Sequence, residues 1–197
     1  MEVEVKQYIR DEVAKTLAAL ERVAEDENLA AEVERIAQVC CSALRAGNKI
    51  LFAGNGGSAA DAQHLAGELV SRFNFDRPGL AAFALTTDTS VLTAVGNDYG
   101  YDRVFARQLN AVGTKGDVFF AISTSGRSPS ILRALEEGRS KGMITVGLTG
   151  KSGGDMPPLC DFCIRIPVAE TPKIQEGHIV LGHIICGLIE RELFGGD

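Results

Sequence analysis

The sequence predicts an α/β protein, with five parallel strands in a doubly wound sheet behind a pair of N-terminal helices. Three observations carry this. Short apolar runs recur at residues 49–53, 80–85, 117–122, 143–148 and 162–166. Segments at helical spacing separate them, at roughly 58–74, 88–111, 129–141 and 173–194. Strands that are apolar on both faces and alternate with helices belong to a parallel sheet covered on both sides. Finally, 22 glycines supply the tight turns that such alternation needs. Ligands of doubly wound sheets bind beyond the carboxyl ends of the strands, near the switch point, so chemistry is expected there.

Before residue 49 the pattern is helical only. Ile9, Val13, Leu17 and Leu20 share one face, as do Leu29, Val33, Ile36, Cys40 and Leu44. Asp26-Glu27-Asn28 marks the break between the two helices, and Gly47-Asn48 stops the second. The pair either covers the sheet or, for the first helix, forms a bundle between subunits. There is no repeat, low-complexity tract or linker, so residues 1–197 are expected to form a single domain, with the helical pair at 1–47 involved in oligomerisation.

Composition excludes several classes. Hydrophobic residues make up 45% and charged residues 23%, as in ordinary globular chains. A net charge of −6 with no basic run argues against a nucleic-acid surface, and the absence of Trp removes a common base-stacking platform. The first residues lack the basic start and apolar stretch of a signal peptide, and no window reaches the length of a membrane span. The expectation is a cytoplasmic protein with no membrane or nucleic-acid partner. Five cysteines, two of them adjacent at Cys40-Cys41, make a disulfide framework a poor fit. Cys160-Asp161-Phe162-Cys163 spells C-x-x-C, but a strand over 161–167 would put the two cysteines on opposite faces, as small core residues.

After the first strand stands Gly54-Asn55-Gly56-Gly57-Ser58-Ala59-Ala60-Asp61. Gly54, Gly56 and Ala59 fit the dinucleotide fingerprint, yet the acidic residue about twenty positions on, Asp76, precedes the second strand instead of ending it. What survives is a glycine loop whose N–H groups can approach an oxyanion at a helix N-terminus. Ser58-x-x-Asp61 also has the form of a capping box. The third strand runs into Ser123-Thr124-Ser125-Gly126-Arg127-Ser128-Pro129-Ser130. Gly126 permits a left-handed turn, Ser128 suits an N-cap and Pro129 the first helical position. Hydroxyls, free N–H groups and a helix dipole converging there suit a phosphate monoester.

His64 and Glu68, four apart, share a helix face. His178 and His183 lie in an otherwise apolar last helix, where an unpaired imidazole is costly. His and Glu, supported by an amide oxygen such as that of Gln175, can hold zinc. Gln175 and His183 stand eight residues apart, roughly 12 Å along an ideal helix. They meet at one point only if Gln175 lies at or before the helix start, or if different subunits contribute.

Taken together, residues 54–64, Ser123-Thr124-Ser125-Gly126 and Ile174-Gln175-Glu176-Gly177-His178 resemble phosphoheptose isomerases of the sugar isomerase (SIS) domain superfamily. Thr86-Thr87-Asp88 and Gly96-Asn97-Asp98-Tyr99-Gly100 match as well, so the resemblance covers nearly the whole chain. It implies a flavodoxin-like SIS fold and a cytoplasmic homotetramer that interconverts sedoheptulose 7-phosphate and D-glycero-D-manno-heptose 7-phosphate, opening the ADP/GDP-heptose route to surface glycans. By motif it implies zinc, one per subunit, on His64, Glu68, Gln175 and His183. It also implies sugar contacts from Asn55, Gly56, Gly57, Asn97 and Asp98, and phosphate contacts from Ser123, Thr124, Ser125 and Ser128. Glu68 and His183 would share the acid–base work of an enediolate mechanism, Glu68 and Gln175 also touching substrate. Two rivals share the fold: a binding-only relative that associates with the replication initiator and lacks the equivalents of Glu68 and His183, and an isomerase or deaminase-like protein acting on another phosphosugar.

Overall fold

The computed structural model describes residues 2–195, so the outer limits of the expected domain, residues 1 and 197, lie outside the described residues. The chain begins with α1 (Glu2–Ala24) and α2 (Glu27–Arg45). It continues through β1 (Ile50–Gly54), α3 (Gly57–Val70), β2 (Ala82–Ala84), α4 (Thr89–Tyr99) and α5 (Val104–Val112). Then come β3 (Val118–Ile122), α6 (Pro129–Ser140), β4 (Ile144–Gly150), β5 (Phe162–Ile166) and α7 (Thr171–Phe194). The strands form one parallel sheet in the order β2-β1-β3-β4-β5. The expected five-stranded doubly wound sheet is therefore present.

Period-two alternation splits the core in two. Ile50 and Phe52 of β1, with Val118, Phe120 and Ile122 of β3, face α2, α3 and α7. Leu51, Ala53, Phe119 and Ala121 face the opposite way, onto α5 and α6. Registration of Phe52 with Phe120 stacks their rings 4.9 Å apart. Because β1 neighbours both β2 and β3, the direction in which strands are added to the sheet reverses between β1 and β3, and that is the switch point.

The two N-terminal helices have different surroundings. Asp26 caps α2 by accepting from the Asn28 and Leu29 N–H groups, both at 3.0 Å, and α2 then buries Leu29, Val33, Ile36 and Cys40 on the sheet. On α1, by contrast, Val3, Val5, Tyr8, Ile9, Val13 and Leu17 are all more than half exposed. The pair does not cover the sheet as a unit; only α2 does.

Three sequence expectations need correction. The helix expected over 88–111 is broken at Gly100, whose φ of +90° is outside helical space. The capping box at Ser58 and Asp61 does not form, because α3 starts two residues earlier, with Gly56 as its cap. Cys160 and Cys163 do not lie on opposite faces: Cys160 precedes the strand, and both thiols crowd Gly147. Their mutual hydrogen bond pushes the Cys160 thiol above its ordinary range and lowers that of Cys163. All five cysteines are free. No helix among the described residues is long and apolar enough to cross a membrane.

Candidate active site

The loops after β1 and β3 meet at the switch point, and one side chain joins them. Asn55 donates from Nδ2 to Ser128 Oγ at 2.8 Å and to Ser130 Oγ at 3.0 Å, and its Oδ1 accepts from the Tyr101 hydroxyl at 3.0 Å. Ser128 takes the N-cap position of α6 with extended backbone, but its side chain makes no cap bond. Its hydroxyl is engaged by Asn55 instead; Pro129 has no N–H and the Ile131 N–H goes to the Ser128 carbonyl at 3.1 Å, so the Ser130 N–H is the one in the first turn of α6 that no side chain caps. A capped turn was one reading of Ser128-Pro129; the uncapped helix end favours an anion.

Ser123 is buried, Thr124 and Ser128 are half-buried and Ser125 is exposed along the rim of this loop. Gly126 adopts φ +64°, and a side chain there would overlap the backbone at Gly153. The same glycine accepts from the Asp155 N–H at 2.9 Å, and Thr124 accepts from the Gly150 N–H at 3.1 Å. The serine loop is thus pinned to the loop after β4. Asn97 and Asp98 are exposed at the end of α4, bonded to each other at 2.8 Å.

The acid–base candidates lie one loop away. Gly182 of α7 packs so closely on α3 that a Cβ there would stand 2.6 Å from Leu65 Cδ2. This contact draws together the neighbours of both residues, His64 and His183. Their Nε2 atoms face each other at 2.7 Å, and Glu68 Oε1 stands 3.2 Å from His64 Nε2. The ligand atoms of His64, Glu68 and His183 all fall within 4.8 Å of one another. Phe73 supports the cluster, its ring 5.5 Å from that of His183. With both Nε2 atoms unprotonated, two imidazole nitrogens and a carboxylate oxygen converging on one point present lone pairs to each other, an arrangement a cation relieves. Tetrahedral zinc at about 2.0–2.1 Å from nitrogen separates its ligands by about 3.3 Å. The donor set fits such an ion in kind, and the two imidazole nitrogens, 2.7 Å apart, would open by about 0.6 Å to take it.

Gln175 is the fifth residue of α7, inside the helix and two turns before His183. The condition under which a single chain brings the two together at a helix start is therefore not met. Its side-chain amide rests instead against Gly57, where a Cβ would lie 2.5 Å from Nε2. His178 is buried away from the cluster, with Nε2 donating to the Thr149 carbonyl at 3.1 Å. Asp61, three residues before His64, has an unpartnered buried oxygen; burial raises its carboxyl above the ordinary value, and His64 opposes this.

Sequence reasoning missed Tyr101, Ser130 and Phe73. Ser130 sits in a stretch already rich in hydroxyls, and its burial at 2% exposure is the distinguishing feature. Tyr101 follows Gly100, and only the break in the helix turns it toward Asn55.

The chain belongs to the SIS-domain class, and the loops after β1 and β3 flank the switch point of its sheet. The family model of the SIS domain matches residues 11–150. Beyond the class, the chain belongs to the phosphoheptose isomerases, which are aldose–ketose isomerases. It is 57% identical over 188 residues to the phosphoheptose isomerase of Burkholderia pseudomallei strain 1710b, spanning 95% of each chain. The phosphoheptose isomerase structure from Neisseria gonorrhoeae superposes with a TM-score of 0.88 at 39% identity, covering 94% of this chain and 98% of that one. The one from Francisella tularensis gives 0.91 at 35%, covering 95% and 98%.

Proposed function

We propose that this chain interconverts sedoheptulose 7-phosphate and D-glycero-D-manno-heptose 7-phosphate, with one zinc ion per subunit held by His64, Glu68, Gln175 and His183, different subunits contributing Gln175 and the other three ligands. The observation that carries the proposal is the convergence of His64 Nε2, Glu68 Oε1 and His183 Nε2. Phosphate binds at the open end of α6, where Ser123, Thr124, Ser125 and Ser128 and the helix dipole offer hydrogen bonds and partial positive charge. Asn55, Gly56, Gly57, Asn97 and Asp98 contact the sugar chain, and Tyr101 holds the Asn55 amide in orientation.

Isomerisation moves a proton between adjacent carbons through an enediolate. Glu68 and His183 take and return the carbon proton and serve the neighbouring oxygens, a role that contributes about 10²–10⁴-fold. The metal, when bound, supplies a Lewis acid that polarises the carbonyl. Glu68 and His183 are both only partly buried, so the side chains that act are reachable by substrate. The chain is a single SIS domain in a homotetramer, assembled through the 1–47 helices. The exposed stripe of Tyr8, Ile9, Val13 and Leu17 on α1 supports that assembly. The protein works in the cytoplasm at the first step of heptose supply to surface glycans.

Incubation with sedoheptulose 7-phosphate in deuterated water, followed by proton NMR, tests the reaction. The aldoheptose 7-phosphate should appear with deuterium at C2. Chelation should abolish turnover and zinc should restore it, with about one ion bound per chain. Binding of the phosphosugar without turnover would point to the binding-only reading, and turnover of a different sugar phosphate to the other rival.

A further inference from the structure

The segment between α3 and β2, part of which reads in sequence as a continuation of the helix, supplies one partner of a buried ion pair. Arg77 and Glu190 have side-chain exposures of 2% and 0%, and Arg77 Nε lies 3.1 Å from Glu190 Oε1. Burying two charges is costly, so such a pair persists where every lone pair and proton is used. Here they are used on the backbone of the catalytic elements. Arg77 Nη2 donates to the Glu68 carbonyl at 2.9 Å, and Nη1 to Leu69 at 2.6 Å, Ser71 at 3.2 Å and Pro78 at 3.1 Å. Glu190 accepts from the Phe73 N–H at 2.8 Å and the Asn74 N–H at 2.6 Å.

The elements tied together are those that carry the metal-ligand candidates. α3 ends at Val70 without a glycine C-cap; Ser71 follows with φ −84°. Of its last carbonyls, Leu69 accepts from the Leu80 N–H at 3.1 Å, and a guanidinium from seven residues beyond the helix bonds both it and Glu68. That cation also complements the negative end of the helix dipole. The last turn of α3 bears Glu68. Glu190 belongs to α7, two turns beyond His183, and by holding residues 73 and 74 it places the Phe73 ring. That ring lies against Gly187, where a Cβ would be 3.3 Å from Phe73 Cε1, and beside the His183 imidazole.

We propose that Arg77 and Glu190 are positioning residues of the active site, clamping the end of the helix that carries His64 and Glu68 to the helix that carries His183. They touch neither substrate nor ligand atoms; they fix the distance and angle between the two helices on which the donor atoms converge. This rests on the reading of His64, Glu68 and His183 as the metal centre.

The probe is zinc alone, titrated into apoprotein against a chromophoric chelator. Arg77→Lys keeps the charge but loses the planar fork that reaches several carbonyls at once. Glu190→Gln keeps one acceptor and loses the charge. Each should weaken zinc at least tenfold, the lower end of what outer-sphere partners contribute, and lower kcat with KM changed less than about threefold. Phe73→Leu, at a half-buried position that tolerates the change, should weaken zinc in the same direction if either charge variant does not fold. Leu109→Ala, in the core on the far face of the sheet, should lower Tm while leaving zinc affinity and kcat unchanged. That separates positioning from general destabilisation. Wild-type zinc affinity in whichever of the three site variants fold overturns the clamp. Glu68→Gln run alongside distinguishes the two failures. If it too binds zinc normally, the metal centre was misassigned; if it alone loses zinc, the centre stands and only the clamp falls.

Discussion

Gly57→Ala separates fold from function at a single methyl group. Gly57 is the first residue of α3, with no positive φ, so alanine is allowed there and improves helix propensity by about 0.5–1 kcal/mol. The one neighbour an added Cβ meets is the Gln175 amide, at 2.5 Å from Nε2 and 3.1 Å from Cδ. Ordinary contact needs about 3.5 Å, so the amide must move by roughly 1 Å, and it can, being the far end of a flexible side chain. A displacement of that size in a catalytic group costs about a hundredfold in rate, or about 2.7 kcal/mol of transition-state stabilisation. The variant should therefore unfold at the same temperature or higher, while kcat/KM for sedoheptulose 7-phosphate falls about a hundredfold. A methyl group could instead block the sugar directly, and a double-mutant cycle with Gln175→Ala decides between the two. If the effect runs through Gln175, Gly57→Ala adds little to the Gln175→Ala background. Native kcat/KM in Gly57→Ala, or full additivity in the cycle, would refute the placement of Gln175 as a working residue.

Two further outcomes follow from the site. Glu68→Gln preserves size and one oxygen but cannot accept a proton; it should retain phosphosugar binding by calorimetry and lose about a hundredfold or more in turnover. Ser123→Ala with Ser125→Ala removes two hydroxyls from the phosphate loop, each worth about 1.5–3 kcal/mol against a charged group. Phosphosugar affinity should fall by orders of magnitude while the far-UV spectrum is kept.

The sheet was legible because each strand is apolar on both faces, which only a covered parallel sheet demands. The hydroxyl loop was legible for a related reason: Ser123, Thr124 and Ser125 follow an apolar run so abruptly that packing gives them no purpose. What escaped depends on contacts across the chain. Tyr101 reaches Asn55 only because Gly100 turns the backbone, and a continuous amphipathic pattern over 88–111 conceals that break. Arg77 and Glu190 lie 113 positions apart, one in an irregular loop and one in an apolar helix, so no period joins them. Cys160 and Cys163 were placed on opposite faces by counting strand residues, but the strand starts between them and the count does not apply. The His64–His183 contact was partly legible: both residues were singled out, while the Gly182 that lets α7 approach α3 reads in sequence as a mere weak point of a helix.

His178 yields a stability prediction that leaves the catalytic groups untouched. Burial pushes its imidazole down to about 4 from an ordinary 6.5, and the bond to the Thr149 carbonyl offsets this only in part. Its Nδ1 has no partner, so the charged form would bury an unpaired proton donor. Between those two pH values the unfolded chain binds a proton that the folded chain refuses. Stability is then fully present above about pH 6.5 and is lost as pH falls toward 4. The two values give about 0.2 kcal/mol lost at pH 7 and about 2 kcal/mol at pH 5, rising to about 3 kcal/mol below pH 4. His178→Gln keeps a nitrogen donor for Thr149 and removes the titration. Urea unfolding of both proteins, at equal protomer concentration and at pH 7 and pH 5, gives a difference in which the contributions of His64 and His183 cancel. Wild type should lose about 2 kcal/mol more than the variant between the two pH values. Parallel losses would mean that the folded chain accommodates a proton at His178, and that the imidazole is neither as dry nor as unpartnered as its packing under β4 requires.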